Sequence, residues 1–359
     1  MIMKDLRKLR NQIQQIDKQI VQLLDHRADL SREIGHLRQK GVKVPFDPSR
    51  QKTLMDQIVR LAQGSLSPEA LNRIYTEIIS QCQALEQPLR IGFLGPEGTF
   101  THQASVAEFG SGVHFVPYPT VDDLFTSVEK KQVDCSVVAI ENSTGGVVHE
   151  VLDRFLDSDV KINSEIITYI HLCLMARAPL NKVKRIFSHP QPFKQCRRWL
   201  RQNLPHARYV EVASTVEGAR RAQESSQSAA IGSEIAAGLY NMKILASNIQ
   251  DTTENYTRFV VLGRALSPRT GSDKTSIIIS LKHKPGTLFE ALKPFARRGV
   301  NLTKIESRPT RQRPWEYVFF IDFEGHLNDR KVKSVLKDLE PHTVFIKILG
   351  SYPFERLNR

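Results

Sequence analysis

No apolar run in this 359-residue sequence approaches the roughly 18 residues needed to cross a bilayer. The opening stretch, MIMKDLRKLRNQIQQID, alternates charged with apolar residues where a secretory signal would be continuously apolar. Four cysteines, Cys82, Cys135, Cys173 and Cys196, lie far apart with no Cys-x-x-Cys pair, so neither a disulfide framework nor a zinc site is suggested. Absent too are GxxxxGK[ST], GxGxxG after a strand, HExxH and GxSxG, which removes the usual footings for nucleotide, metal and esterase-type chemistry. The net charge is +13, yet Lys and Arg form no basic tail and no stripe interleaved with aromatics. That distribution favours sites for small anions over a nucleic-acid surface. The expected setting is the cytoplasm, with no membrane and no nucleic-acid partner.

What is present falls into three blocks. From Leu6 to Leu37 apolar residues step by three and four, interrupted at Arg27. A helix over about residues 4–40 would be roughly 55 Å long, too long for one small domain to cover, and is expected to pair with another subunit. Two shorter helices follow, starting at Pro48 after Asp47 and at Pro68 after Ser67, with proline at the favoured first position. This all-helical block is expected over residues 1–88. Residues 89–266 alternate strand and helix patterns, as α/β with a mostly parallel sheet. Thr120-Val121-Asp122 and Thr215-Val216-Glu217 form a weak internal echo, which fits two similar lobes around a cleft and does not exclude one large sheet. After the PRTGSD boundary, residues 274–355 read βαββαβ, an α+β ferredoxin-like unit.

Polar side chains recur on the apolar faces of the helical block, at Arg38, Arg50, Cys82 and Glu86. Guanidinium forks suit carboxylates in a dry pocket, and Arg10, Arg27 and Arg50 together would neutralise a dianion. In the middle block, the apolar strand at 135–140 runs into Glu141-Asn142-Ser143-Thr144-Gly145-Gly146. Open α/β sheets bind ligands at such carboxyl ends, although turn and capping chemistry uses the same residues. Gly95-Pro96-Glu97-Gly98-Thr99 would cradle an anion on backbone amides. Asn255-Tyr256-Thr257-Arg258-Phe259 sets a hydroxyl beside a guanidinium, or is a loop with a surface arginine.

In this order the three blocks resemble the bifunctional chorismate mutase/prephenate dehydratase family with a carboxyl-terminal ACT domain. The resemblance covers essentially the whole chain and rests on GPEGTFTHQA (95–104), VVAIENSTGG (137–146), SHPQ (188–191) and N-x-TRF (255–259). It implies a cofactor-free conversion of prephenate to phenylpyruvate, in a cleft between lobes like those of periplasmic binding proteins. It implies Thr257 at the leaving hydroxyl, Arg258 on a substrate carboxylate, and Thr99, Glu141, Asn142, Ser143 and Phe259 around the pocket. Arogenate as a competing substrate stays open.

For the helical block the resemblance implies a chorismate site in a homodimer or larger homo-oligomer, with carboxylate-binding arginines, one contributed by the partner subunit, falling on Arg10, Arg27 and Arg50, and with Asp47 matched. Four positions depart from the family pattern: Arg38 for lysine, Gln51 for glutamate, Cys82 for serine and Glu86 for glutamine. Glu86 can donate to the ether oxygen only when protonated, and a free glutamate titrates at about 4.3. The expectations are a mutase favouring acid pH, or one that has lost most of its rate. For the third block the resemblance implies a phenylalanine sensor, with Glu306-Ser307-Arg308-Pro309 matching ESRP. The companion Gly-Ala-Leu-Val appears as Gly286-Thr287-Leu288-Phe289.

Three readings stand at this point: a bifunctional enzyme under feedback control, a dehydratase whose helices serve dimerisation, and a ligand sensor without chemistry. The intact Thr257-Arg258-Phe259 argues against the third.

Overall fold

The computed structural model describes residues 2–39, 48–61, 64–309 and 317–355. Three helices open it: α1 (Ile2–Gln39), α2 (Pro48–Leu61) and α3 (Pro68–Glu86). Ser67 caps α3 by accepting the Ala70 N–H, one of the donors that a helix start leaves unpaired. The 38 residues of α1 span about 57 Å. Its Leu6, Leu9, Ile13, Ile16, Ile20 and Leu23 stay between 45% and 68% exposed. The C-terminal half of α1 runs beside α3 in the same direction. Arg27 Nη1 donates to the Ile78 carbonyl at 3.4 Å, and two turns on Gly35 abuts Glu86. A Cβ at Gly35 would stand 2.7 Å from the Glu86 carbonyl oxygen, so glycine is what lets the helices touch.

The middle block is two lobes. The first holds β1 (Arg90–Leu94), α4 (Phe100–Phe109), β2 (His114–Tyr118), α5 (Val121–Glu129), β3 (Cys135–Asn142), β4 (Gly146–Val147), α6 (His149–Asp157) and β5 (Lys161–Tyr169). The second holds β6 (Cys173–Ala176), β7 (Arg185–Ser188), α7 (Pro190–Gln195), α8 (Arg197–Asn203), β8 (Arg208–Glu211), α9 (Thr215–Ala222), β9 (Ser228–Gly232), α10 (Glu234–Leu239) and β10 (Lys243–Ala246). Then β11 (Tyr256–Gly263) returns to the first lobe, whose sheet order is β2-β1-β3-β11-β5; the second is β10-β6-β9-β7-β8.

The sequence echo is real: β2-β1-β3 and β8-β7-β9 are parallel triplets built alike, each with its central helix leading into β3 or β9. A mostly parallel sheet, however, is not what forms. Because the chain crosses between lobes twice, β11 runs against both β3 and β5, and β6 runs against β9 and β10.

The last block is β12 (Asp273–Leu281), α11 (Thr287–Arg297), β13 (Leu302–Pro309), β14 (Tyr317–Glu324), α12 (Arg330–Leu339) and β15 (Thr343–Pro353), an antiparallel sheet ordered β13-β14-β12-β15. Every residue of β12 is buried, because both faces of the sheet are covered. Ile277 and Ile279 pack on the α11 and α12 side with Phe295 and Val335. Ile278 points the other way and joins Val318, Phe320 and Tyr352 in a core shared with Val138, Ile140 and Val260 of the first lobe. The close approach of β15 to β5 requires Gly350, where a Cβ would fall 2.3 Å from the Ile162 carbonyl oxygen. Among the described residues, no helix is long and apolar enough to cross a membrane.

Candidate active site

Thr257 on β11 pairs with Asn142 at the end of β3, and the two side chains meet. Asn142 Nδ2 donates to Thr257 Oγ1 at 2.8 Å, to the Tyr256 carbonyl at 3.1 Å and to Asn255 Oδ1 at 3.2 Å. Its Oδ1 accepts the backbone N–H groups of Thr144 and Gly145, at 3.1 and 2.7 Å. Those backbone donors settle which end of the amide is oxygen. Thr257 is therefore an acceptor toward Asn142, and its own proton has no acceptor among the described residues. By the same logic Asn255 turns its oxygen to Asn142. Its Nδ2 is buried and has no partner among the described residues, and Asn255 is part of the cleft wall.

The cleft holds about 610 Å³ between the lobes. Thr144, Gly145 and Asn255 line one side and His189, Gln191 and Lys194 the other. Gln195 Nε2 donates to Thr144 Oγ1 across it at 2.5 Å. Thr257 is 7% exposed and borders this wall through Asn142 and Asn255.

Several expected pocket residues have other work. Thr99 caps α4, accepting from His102 N and donating to the Leu94 carbonyl. The Gly98 N–H, counted on for an anion, goes to His102 Nδ1 at 3.1 Å. His102 itself stacks on Phe93, and burial holds its pKa below the usual imidazole range. Ser143 zips the β3–β4 turn to β11 by donating to the Glu254 carbonyl and accepting from Tyr256 N.

Three expectations are corrected. Phe259 is 1% exposed and sits in the apolar core with Ile91 and Ile166, outside the cleft lining. Arg258 does not face the cleft, because successive strand residues point to opposite faces and Thr257 already takes the cleft side. Its Nε donates to Glu165 at 2.8 Å, Nη1 to Asp322 at 2.6 Å and Nη2 to the Tyr352 hydroxyl at 2.9 Å. Burial works against its charge, yet Asp322, Tyr352 and Glu165 outweigh burial and raise its pKa well above the ordinary guanidinium value. Lys274 completes the network on Glu165. Glu141, opposite Arg258 in the ladder, likewise leaves the cleft, and its Oε2 pairs with Lys304 at 2.7 Å.

In the helical block, Asp47 and the Arg38 side chain lie outside the described residues. Helical periodicity sets Ser31 and Cys82, 6% and 7% exposed, between the Arg27–Ile78 and Gly35–Glu86 contacts. Glu86 and Arg27 are half-buried, and Arg50 is exposed. Gln51 turns to the first lobe, with Nε2 at 3.5 Å from the Glu108 carbonyl. Within a single chain Arg10 and Arg27 lie too far apart to share one anion. Arg10 is seventeen residues up α1 from Arg27, which is about 25 Å.

The expected effector residues divide by the same alternation. Glu306 and Arg308 face α6, where Arg308 grips Asp153 with Nη2 at 2.8 and 2.9 Å from its two oxygens and Glu306 lies 3.9 Å from His149. Ser307 and Pro309 are exposed. Gly286 starts α11 at φ 81°, and Thr287 donates to the Lys282 and Lys284 carbonyls. Leu288 is half-buried and Phe289 is 64% exposed.

Sequence reasoning passed over Asn255, Gln191 and Gln195 as individual donors. Asn255 and Gln191 stood inside quoted motifs, and the signal that singles them out is burial beside the cleft, which a sequence does not carry.

Family comparisons agree with this architecture. The chorismate mutase type II family matches residues 9–87, the prephenate dehydratase family 91–266 and the ACT domain 275–341. The bifunctional chorismate mutase/prephenate dehydratase of Aquifex aeolicus is 44% identical over 98% of both chains. Its counterpart from Pseudomonas aeruginosa is 39% identical over 97% of both. A solved prephenate dehydratase from Arthrobacter aurescens, in complex with L-Phe, is 36% identical, covers 74% of this chain and 90% of its own, and superposes with a TM-score of 0.69. With all three blocks matched in order over nearly the full length, the chain belongs to the bifunctional chorismate mutase/prephenate dehydratase family.

Proposed function

We propose that this chain rearranges chorismate to prephenate in its helical domain and converts prephenate to phenylpyruvate, water and carbon dioxide in the two-lobed domain. Phenylalanine acts on the ACT domain as feedback inhibitor. The observation that carries the dehydratase half is the fixed polarity of the Asn142–Thr257 bond, which leaves the Thr257 proton for a substrate oxygen.

In that reaction the bond from the ring to its carboxylate breaks and its electron pair enters the ring. The bond to the opposite ring hydroxyl then breaks, and the hydroxide takes one proton and leaves as water. No oxidant is needed, and aromatisation supplies the driving force. Thr257 donates to the departing oxygen as negative charge develops there, the point at which a preorganised donor acts most strongly. With Arg258 committed elsewhere, the substrate carboxylates fall to the cleft's own donors, the free amide nitrogen of Asn255 together with Gln191 and Lys194.

The mutase half is a pericyclic rearrangement, which needs a compact conformer and stabilised charge on the ether oxygen. Arg27, Cys82 and Glu86 form one wall. The exposed apolar stripe of α1 supports a homodimer in which Arg10 serves the site of the other copy. Four free, buried cysteines fit the reducing cytoplasm. Phenylalanine as effector is supported by the L-Phe complex of the Arthrobacter relative.

The test is the purified protein given chorismate, with chorismate loss and phenylpyruvate followed together, with and without phenylalanine. Both signals, the second suppressed by phenylalanine, are expected. Phenylpyruvate from added prephenate but never from chorismate would reduce the protein to a dehydratase.

A further inference from the structure

Two cross-strand pairs face each other between the dehydratase and ACT sheets. On the dehydratase side, Glu141 of β3 stands opposite Arg258 of β11. On the ACT side, Lys304 of β13 stands opposite Asp322 of β14. Each residue binds the opposite charge across the gap: Lys304 Nζ to Glu141 Oε2 at 2.7 Å, and Arg258 Nη1 to Asp322 Oδ2 at 2.6 Å. The four form a closed square of alternating sign. One residue further along the same ladder is the Thr257–Asn142 pair, facing the cleft. The strand ends that carry the reacting groups are thus held from behind by another domain.

We propose that Lys304 and Asp322 are positioning residues of the dehydratase site, fixing Glu141 and Arg258 so that Asn142 and Thr257 stand in register on the cleft side. The proposal rests on the functional reading above and adds to it a route for regulation. Lys304 lies two residues before Glu306 on the same face of β13, so a displacement of that strand moves the cation on Glu141 directly. The two arms of the square differ in character. Arg258 is locked by Glu165 and Tyr352 as well as Asp322, with only 8% of its side chain exposed. Glu141 has 36% of its side chain exposed, and among the described residues its side chain pairs with Lys304 alone. The lysine arm is the one that can open without unfolding the interface.

The experiment uses the full-length protein and prephenate turnover. Lys304→Met is expected to lower dehydratase kcat about tenfold, inside the range a displacement of about 1 Å costs a reacting geometry. KM should change less than about twofold, since no substrate contact is lost. The phenylalanine concentration for half inhibition is expected to rise about tenfold, a typical coupling between two sites. Lys304→Arg keeps the cation and should restore both. Glu141→Gln should lower kcat by a similar factor, and adding Lys304→Met to it should cost nothing further, because the lysine acts through the glutamate. Wild-type kcat and wild-type inhibition in Lys304→Met would overturn the proposal, as would full additivity of the two substitutions. A wild-type protein that leaves prephenate untouched would instead overturn the functional reading, and the proposal with it.

Discussion

The side-chain amide of Asn142 donates to the hydroxyl oxygen of Thr257 at 2.8 Å, and the backbone N–H groups on its other end prevent the reverse. The Thr257 proton is then free to donate to substrate. Thr257→Val keeps the shape and removes that donor, and is expected to lower dehydratase kcat by about 100- to 1000-fold, the usual cost of one preorganised donor. Thr257→Ser keeps the hydroxyl and should retain a larger share of the rate. Steady-state kinetics on prephenate decide it. A larger loss in Thr257→Ser than in Thr257→Val would point to packing of the methyl group instead.

Arg258 makes a different prediction from the one its sequence motif invites. Its guanidinium and Lys274 balance Glu165 and Asp322 inside a buried interface, so removing it leaves two carboxylates facing one ammonium. Arg258→Met is expected to destabilise the protein by about 3–5 kcal/mol, the cost of breaking a buried pair. The KM for prephenate in the fraction still folded should stay within about twofold of wild type. Urea unfolding followed by kinetics separates these. A large rise in KM with normal stability would return Arg258 to the substrate.

What the sequence could and could not reveal follows from this strand. The β11 pattern and its neighbour β3 were legible as strands, because apolar residues over this length fit a buried sheet. Thr257 and Asn142 could be singled out by motif. Which side Arg258 and Glu141 face depends on what covers the far side of the sheet, and Asp322 and Lys304 lie 64 and 163 residues away. The unpartnered nitrogen of Asn255 is likewise a property of packing. The antiparallel run of β11 is not legible, because a single sequence does not show which sheet a strand after the second lobe rejoins.

Glu108 on α4 offers a test by pH. Burial, with help from Glu355, pushes its pKa from 4.5 up to about 7 against the pull of Lys52, which itself bridges to Glu355. Its pKa is higher folded than unfolded, so the stabilisation is complete below about pH 4.5 and is lost as pH rises through about 7. Part of this residue remains exposed, so the effect is discounted to about 1 kcal/mol. Thermal melts should fall by about 2–4 °C between pH 5 and 8. Glu108→Gln should flatten that dependence, and an unchanged slope in the variant would assign it to another group.

At the mutase site, Glu86 packs against Gly35 at the end of the α1–α3 contact. A carboxylate cannot donate to an ether oxygen, whereas a carboxylic acid can. Glu86→Gln, which supplies an amide donor, should therefore raise the mutase rate at pH 8 by about tenfold or more. Chorismate loss at pH 8 in both proteins checks it; equal rates would exclude position 86 as the donor.

The distance along α1 gives the last prediction. Arg10 and Arg27 sit seventeen residues apart on one continuous helix, about 25 Å, so neither can reach the other's anion within one chain. If each mutase site takes Arg27 from one copy and Arg10 from the other, Arg10→Ala and Arg27→Ala should each be nearly inactive alone. Mixed and re-equilibrated in equal amounts, they should recover activity. Half of the random dimers are mixed, and each mixed dimer carries one intact site of two, formed by Arg10 of the Arg27→Ala chain and Arg27 of the Arg10→Ala chain. The recovered rate should approach about one quarter of wild type, by the self-complementary symmetry of a two-fold dimer. Dehydratase activity, which needs neither residue, serves as the internal standard. No recovery despite proven subunit exchange would place both arginines outside a shared site and leave α1 as a dimerisation helix alone.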